Sequence, residues 1–338
     1  MLSNAMKWIN SAFSQLPLFR RGLGGGLFSL LFGVFCIPLS AQFPPLNGVS
    51  THLPSREGQG GGSDLFTLHS PLGESEGATL TIDIQQGGKI VSLKYGEQEM
   101  LSQLQRPEWF GSTFWTSPQR EWNWPPVREF DKQPYTVELR EDKHLTIVSP
   151  VSQRLGLRVT KDFTIPSSLP LGESQKGGQF LITYSITNEG SEPRSVAPWE
   201  ITRVVNGDGI IFFDAPVDSI WPADLMTFTS AYGASWYKTD EAPRNRKINA
   251  NASGWLAYCA DGLLLVKQFQ DMKPGEAAPG EAEVQVYLNQ GKTYIELENQ
   301  GPYTLLQPGE QLSWSVRWYL LPTKLSSTPS KKLMKLIP

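Results

Sequence analysis

The chain has 338 residues, a formal net charge of −3 and 39 % apolar residues, with 31 Gly and 26 Pro. This balance, with no run of like charge, argues against a nucleic-acid partner, and the load of turn formers argues against a protein of long helices. Cys36 and Cys259 are the only cysteines, so no disulfide framework is expected.

The N-terminal residues 1–26 carry Lys7, Arg20 and Arg21 and no acid, and Leu27–Ala41 reads LFSLLFGVFCIPLSA. A basic stretch before an apolar run of about a dozen residues, ending in small residues, is the pattern of a secretory signal and is short for a membrane span. The expectation is an exported, periplasmic or envelope-associated protein with a signal over 1–41, the membrane being reached only through this segment if it stays uncleaved. Residues 42–63 are rich in Pro, Gly and Ser without apolar period and are expected to be a flexible tether.

From residue 64 the apolar residues recur mostly with period two, as in ATLTIDI (78–84), GKIVSLKY (88–95), YTVELR (135–140) and LRVTKDFTI (157–165). The same pattern continues through FLITYSITN (180–188), EVQVYLN (283–289), TYIELEN (293–299) and QLSWSVRWYL (311–320). Such alternation marks half-buried strands, and strands that follow one another without helices form antiparallel sheets. The predicted fold is all-β, a large antiparallel β-sandwich over 64–325, with 326–338 as a C-terminal tail. Cys259, in the strand-like WLAYCADG, is expected to be buried and inert.

Three motifs occur in an order that resembles the galactose mutarotase-like (aldose 1-epimerase-like) superfamily. GGKIVSLKY (87–95) resembles its opening hairpin, ITYSITNEGSEPRSVAPWEITRV (182–204) its middle signature, and YIELENQGPYTLLQPGEQLSWSVRWYL (294–320) its closing stretch. Within the superfamily the chain looks most like an exported family of unassigned function, marked by GSTFWTSPQREWNWPP (111–126). The resemblance implies the superfamily's large sandwich (supersandwich) and a site for sugars. It also implies a general-base Glu, which falls on Glu298 in Leu297-Glu298-Asn299-Gln300, and a general-acid His after the middle signature. That region reads Pro198-Trp199-Glu200 instead. The three histidines, His52, His69 and His144, all lie elsewhere.

Three constellations carry candidate chemistry. Residues 109–126 combine Trp109, Trp115, Trp122 and Trp124 with Gln119 and Arg120, flat apolar faces beside planar polar groups, as a saccharide cleft requires. This segment lacks strand alternation and is expected to be a long ordered loop, its indoles lining a ligand site or else plugging one open end of the sandwich. Trp199, Glu200 and Arg203 form the second group. Period two puts Glu200 and Thr202 on one face and Ile201 and Arg203 on the other; Glu200 is then functional or held in a structural salt bridge. The third is Glu296 and Glu298 on one face, next to Gln300. Convergence of Glu200 and Glu298 beneath the tryptophans would make a two-carboxylate acid–base site. No Cys/His zinc set and no Gly-x-Ser-x-Gly element is present, so no metal or other cofactor is expected. The expected partner is a saccharide or other small polyol, bound by a monomer. The functional readings are carbohydrate binding without the general acid, a sugar-active enzyme using Glu298 and Glu200, and a structural envelope protein.

Overall fold

The structure, a computed structural model, describes residues 65–70, 77–104, 109–166, 177–325 and 327–338. The expected signal and tether lie outside the described residues.

Two ten-stranded sheets make up the fold. The first runs in the order β1 (Leu65–Ser70), β2 (Ala78–Asp83), β3 (Lys89–Tyr95), β5 (Ser112–Ser117), β10 (Arg194–Val205), β18 (Tyr294–Gln300), β17 (Val284–Leu288) and β14 (Arg246–Ala250). To it are added β4 (Gln98–Glu99) on β3 and β19 (Thr304–Leu306) on β10. The second sheet begins with β12 (Thr229–Ala231), β13 (Ala234–Lys238), β11 (Ile210–Phe213), β15 (Trp255–Ala260) and β16 (Leu263–Phe269). It continues with β20 (Gln311–Pro322), β9 (Gly178–Asn188), β8 (Leu157–Thr164), β7 (His144–Val148) and β6 (Thr136–Glu141). All the pairings are antiparallel, as the strand-after-strand sequence requires.

In β8 and most of β9 every second residue is buried, which is why their sequences alternate. The middle of the first sheet behaves differently. All six residues of β5 are buried, and β10 is buried from Val196 to Val204. The expected long loop over 109–126 is therefore corrected: its first half holds a central strand, Ser112–Ser117. Alternation vanishes there because loops cover the outer face as the second sheet covers the inner one. The remainder contains a 3-10 turn, Gln119–Glu121, and the short helix α1, Arg128–Asp131, follows it.

Residues 327–338, expected as a tail, pack on the outer face of the second sheet. Leu333, in the helical turn α2 (Lys331–Met334), closes a second apolar cluster with Phe212, Trp236, Trp255 and Tyr319. Cys259 is buried in the same cluster, and burial pushes its thiol up to about 11, so it is held as the unreactive thiol.

Lys161 reaches from β8 to the turn before β3, where its Nζ donates to Gly87 O at 2.7 Å and lies 5.0 Å from the Tyr135 ring centroid. Burial pulls its pKa down from 10.5 to about 7, and that of Lys89 to about 8. Both lysines regain ordinary values on unfolding, so above pH 7 the unfolded chain holds more protons than the folded one and stability rises with pH. Urea unfolding at pH 7, 8 and 9 is expected to show this rise, by up to about 1.4 kcal/mol per pH unit for each lysine. Lys161→Met should flatten it; a slope identical in the variant would contradict the assignment.

Candidate functional site

Directly opposed residues of an antiparallel pair project to the same face. Across the first sheet this places Trp115, Trp199 and Gln300 in one outward row, Thr113, Ile201, Glu298 and Gln285 in the next, and Arg203, Glu296, Tyr287 and Lys247 in a third. The chemistry-bearing residues thus share the outer face of β5, β10, β18, β17 and β14.

Two glycines shape its entry. At Gly111, φ is +64° and a Cβ would stand 2.2 Å from Ile90 O, so only glycine lets the chain pass between β3 and β10 into β5. At Gly87, φ is +66° and a Cβ would stand 2.4 Å from the carbonyl carbon of Asp131. That contact seats α1, which carries Asp131, against the sheet.

A pocket of about 130 Å³ opens on this face, lined by Trp109, Trp115, Trp124, Asp131, Lys132 and Arg203, together with Pro125 and Pro126. Trp109 and Trp124 stack at 5.3 Å and 14°, and Trp124 keeps 43 % of its surface exposed. Asp131 Oδ1 accepts from Trp115 Nε1 at 2.9 Å and from Thr113 Oγ1 at 2.8 Å. Burial pushes its carboxyl up, but Lys89 and these two donors outweigh that and hold it below its ordinary value. The Arg203 guanidinium lies 5.8 Å from the ring centroids of both Trp109 and Trp115. Its Nε is 2.9 Å from Glu296 Oε1, without the geometry of a hydrogen bond, and its buried Nη1 has no partner.

Beside Arg203 lies Glu298, 1 % exposed. Its Oε2 accepts from Trp199 Nε1 at 2.9 Å and from Lys247 Nζ at 2.8 Å, while Oε1 is buried without a partner. Burial raises its pKa, and Glu296 adds to the rise against the pull of Lys247. The segment Pro198-Trp199-Glu200 thus supplies Glu298 with an indole N–H, a donor that does not exchange its proton as an imidazolium does. Of the histidines, His69 is exposed on β1, and His144 on β7 lies 2.7 Å from Asp162; His52 is outside the described residues.

The expected convergence of Glu200 with Glu298 is corrected. Glu200 points between the sheets and is fully buried; its Oε1 lies 2.8 Å from Lys267 Nζ and accepts from Trp318 Nε1 at 3.0 Å. Its Oε2 accepts from Tyr184 OH at 2.6 Å. The period-two placement, Glu200 with Thr202 inward and Ile201 with Arg203 outward, holds, and it is what separates the two carboxylates. The cation that meets Glu200 in a structural salt bridge is Lys267.

The other sequence-derived residues divide. Trp115 and Trp124 line the pocket; Trp199 lies beneath Lys247, 5.0 Å from its Nζ, and touches Glu298. Trp122 is sealed inside, its Nε1 bonded to Thr116 O and its ring edge-on to Trp115, so it plugs rather than lines. Arg120 is exposed and Gln119 half-buried, and neither lines the pocket. Gln300 is buried with its amide on Glu281 Oε2 at 2.5 Å. Sequence reasoning missed Asp131, Lys132 and Lys247. Asp131 and Lys132 follow the tryptophan segment without any motif; Lys247 sits in RKINA, whose polar alternation was the available signal. A larger cavity of about 300 Å³, lined by Val217, Ile220, Met226 and Phe228 among others, offers one charged group, Asp224, and no indole.

Comparison with solved structures places the fold. A galactose mutarotase-like protein from Lactobacillus casei superposes with a TM-score of 0.50 at 10 % identity, over 76 % of this chain and 99 % of that one. A protein from Synechocystis sp. PCC 6803 gives 0.52 at 13 %, over 76 % and 96 %. A TPR-domain-containing protein from Parabacteroides distasonis gives 0.53 at 14 %, over 78 % of this chain and 50 % of that one. No protein-family model and no curated protein matches the sequence. The architecture is the galactose mutarotase-like β-sandwich.

Removing the inward carboxylate should be a matter of stability. Glu200→Ala leaves Lys267 buried without its counter-ion and is expected to cost about 3–5 kcal/mol of unfolding free energy. Denaturant titration checks this; a loss under about 1 kcal/mol would show that the pair is not held as described.

Proposed function

We propose that this chain is an exported carbohydrate-binding protein, one that holds a neutral sugar or related polyol on a mutarotase-like scaffold without the usual general-acid histidine. The observation that carries the reading is the pocket in which the stacked Trp109 and Trp124 adjoin Arg203 and Asp131. An indole face suits the C–H face of a sugar ring, and hydroxyls, which both donate and accept, suit a mixed set of charges. The unpartnered Nη1 of Arg203, which lines the pocket, supplies a donor of that kind, and the unpartnered Oε1 of Glu298 lies buried beside it on the same sheet face. The mutarotase-like neighbour supports a sugar-handling scaffold, and the basic-then-apolar N-terminal segment supports export.

Binding is tested by thermal shift and calorimetry with a panel of neutral mono- and oligosaccharides. At least one is expected to stabilise the protein, and Trp124→Ala should weaken it about tenfold, or about 1.4 kcal/mol. No shift with any sugar at millimolar concentration would overturn the reading.

A second reading, a sugar-active enzyme with Glu298 as base, is favoured by the raised proton affinity of Glu298 and its free oxygen. Among the described residues no imidazole stands beside Glu298 to complete proton transfer at the ring oxygen. Polarimetry with common aldoses is expected to show mutarotation no faster than background; a clear rate that Glu298→Gln abolishes would establish the enzyme.

A further inference from the structure

The pocket of about 130 Å³ is small against the roughly 300–1,000 Å³ of ordinary small-molecule sites, so a ligand seated there extends out of it. The direction is set by the sheet. From the pocket, the row Arg203, Glu296, Tyr287 and Lys247 crosses β10, β18, β17 and β14. Glu296, Tyr287 and Lys247 are all partly exposed. Beyond β14 the chain makes one more antiparallel contact: Asn249 pairs with Trp221, N–H to carbonyl in both directions, at 2.7 and 3.0 Å. Trp221 stands directly opposite Asn249 and projects to the same face, which is also the face of Gln285 and Glu298. Among the described residues, Trp124 and Trp221 are the two exposed tryptophans, at 43 % and 39 %. Single exposed apolar side chains are commonplace. These two stand toward opposite edges of one sheet face, Trp124 at the Arg203 end of the polar row and Trp221 beside the neighbouring row that ends in Asn249.

We propose that this face is an extended subsite array for an oligosaccharide, a chain of several linked neutral sugar rings, with one ring against Trp124 and a distal ring against Trp221. The inference rests on the carbohydrate-binding reading and names its ligand class. At about 4.8 Å per strand, the four intervals from β5 to β14 span about 19 Å, and the Trp221 segment lies one interval further. One sugar ring cannot touch both indoles. Between them, Glu296, Lys247 and Asn249 present acceptors and donors in alternation, as a row of hydroxyls requires. The cations Arg203 and Lys247 are matched by Glu296 and Glu298, so the row carries no net charge to select an acidic chain.

The test is calorimetry with cello-, malto- and manno-oligosaccharides of one to six rings, on the unaltered protein and on Trp124→Ala and Trp221→Ala. Affinity for one of the series is expected to rise at least tenfold from a single ring to the longer chains and then level off. Trp221→Ala should lower affinity for the long chains about tenfold and leave the single ring unchanged, while Trp124→Ala weakens both. Circular dichroism checks that each variant folds. Binding of a single ring with no gain from length, or long-chain affinity indifferent to Trp221→Ala, would overturn the extended array alone. Absence of binding at every length would overturn it together with the reading beneath it.

Discussion

The buried ion pair between Glu200 and Lys267 sets the arrangement of everything around it. Glu200 leaves the first sheet inward and meets Lys267, Tyr184 and Trp318, all from the second sheet; Lys267 in turn donates to Thr202 Oγ1 and Leu297 O on the first. Each partner of this network is fixed in direction as well as distance. Desolvation cancels much of the attraction in such a pair, so its main effect is on specificity. A slip of β10 by one residue would turn Glu200 out to the other face and leave Lys267 alone in the core.

The same constraint makes the outer face. With Glu200 and Thr202 committed inward, Trp199 and Arg203 must point outward, where they meet Glu298, Glu296 and the tryptophan segment. Two lysine–glutamate pairs therefore lie on the two sides of one sheet. The inward pair has every charged oxygen engaged. The outward group leaves Arg203 Nη1 and Glu298 Oε1 without partners, although both are buried. Buried polar atoms are nearly always paired in native proteins, and those that are not call for a ligand, a water or a functional explanation. The contrast is between the two pairs and not between the two faces, since Asn299, opposite Glu200 on the inner side, also has buried amide atoms without partners.

Both sheets also carry material on their outer faces. The first sheet is covered by the tryptophan segment and α1, the second by the C-terminal residues around Leu333. Such covering layers keep the central strands buried on both sides, while Trp124 and Trp221 are among the large apolar side chains left exposed.

Local pattern was enough for the strands that bury one face. The alternation in 157–165 and 180–188 follows directly from a pleat with one side in the core, and it yields β8 and β9 nearly to the residue. It also assigned Glu200 and Arg203 to opposite faces, and Glu296 with Glu298 to one. What period two cannot say is which face is inside, because both faces of β10 are buried and both carry charge. That decision belongs to Lys267, 67 residues beyond Glu200 along the chain, and to Tyr184 and Trp318 across the sandwich. Likewise no local signal distinguishes Trp124, at the pocket, from Trp122, sealed two residues earlier; the difference is made by which loop and which strand each indole meets. Sequence determined the sheets and the residue types available to a site. Only the packing of distant strands decided which of those residues face one another, because contact between them depends on register across the sheet and on the sheet opposite, neither of which is written in any single segment.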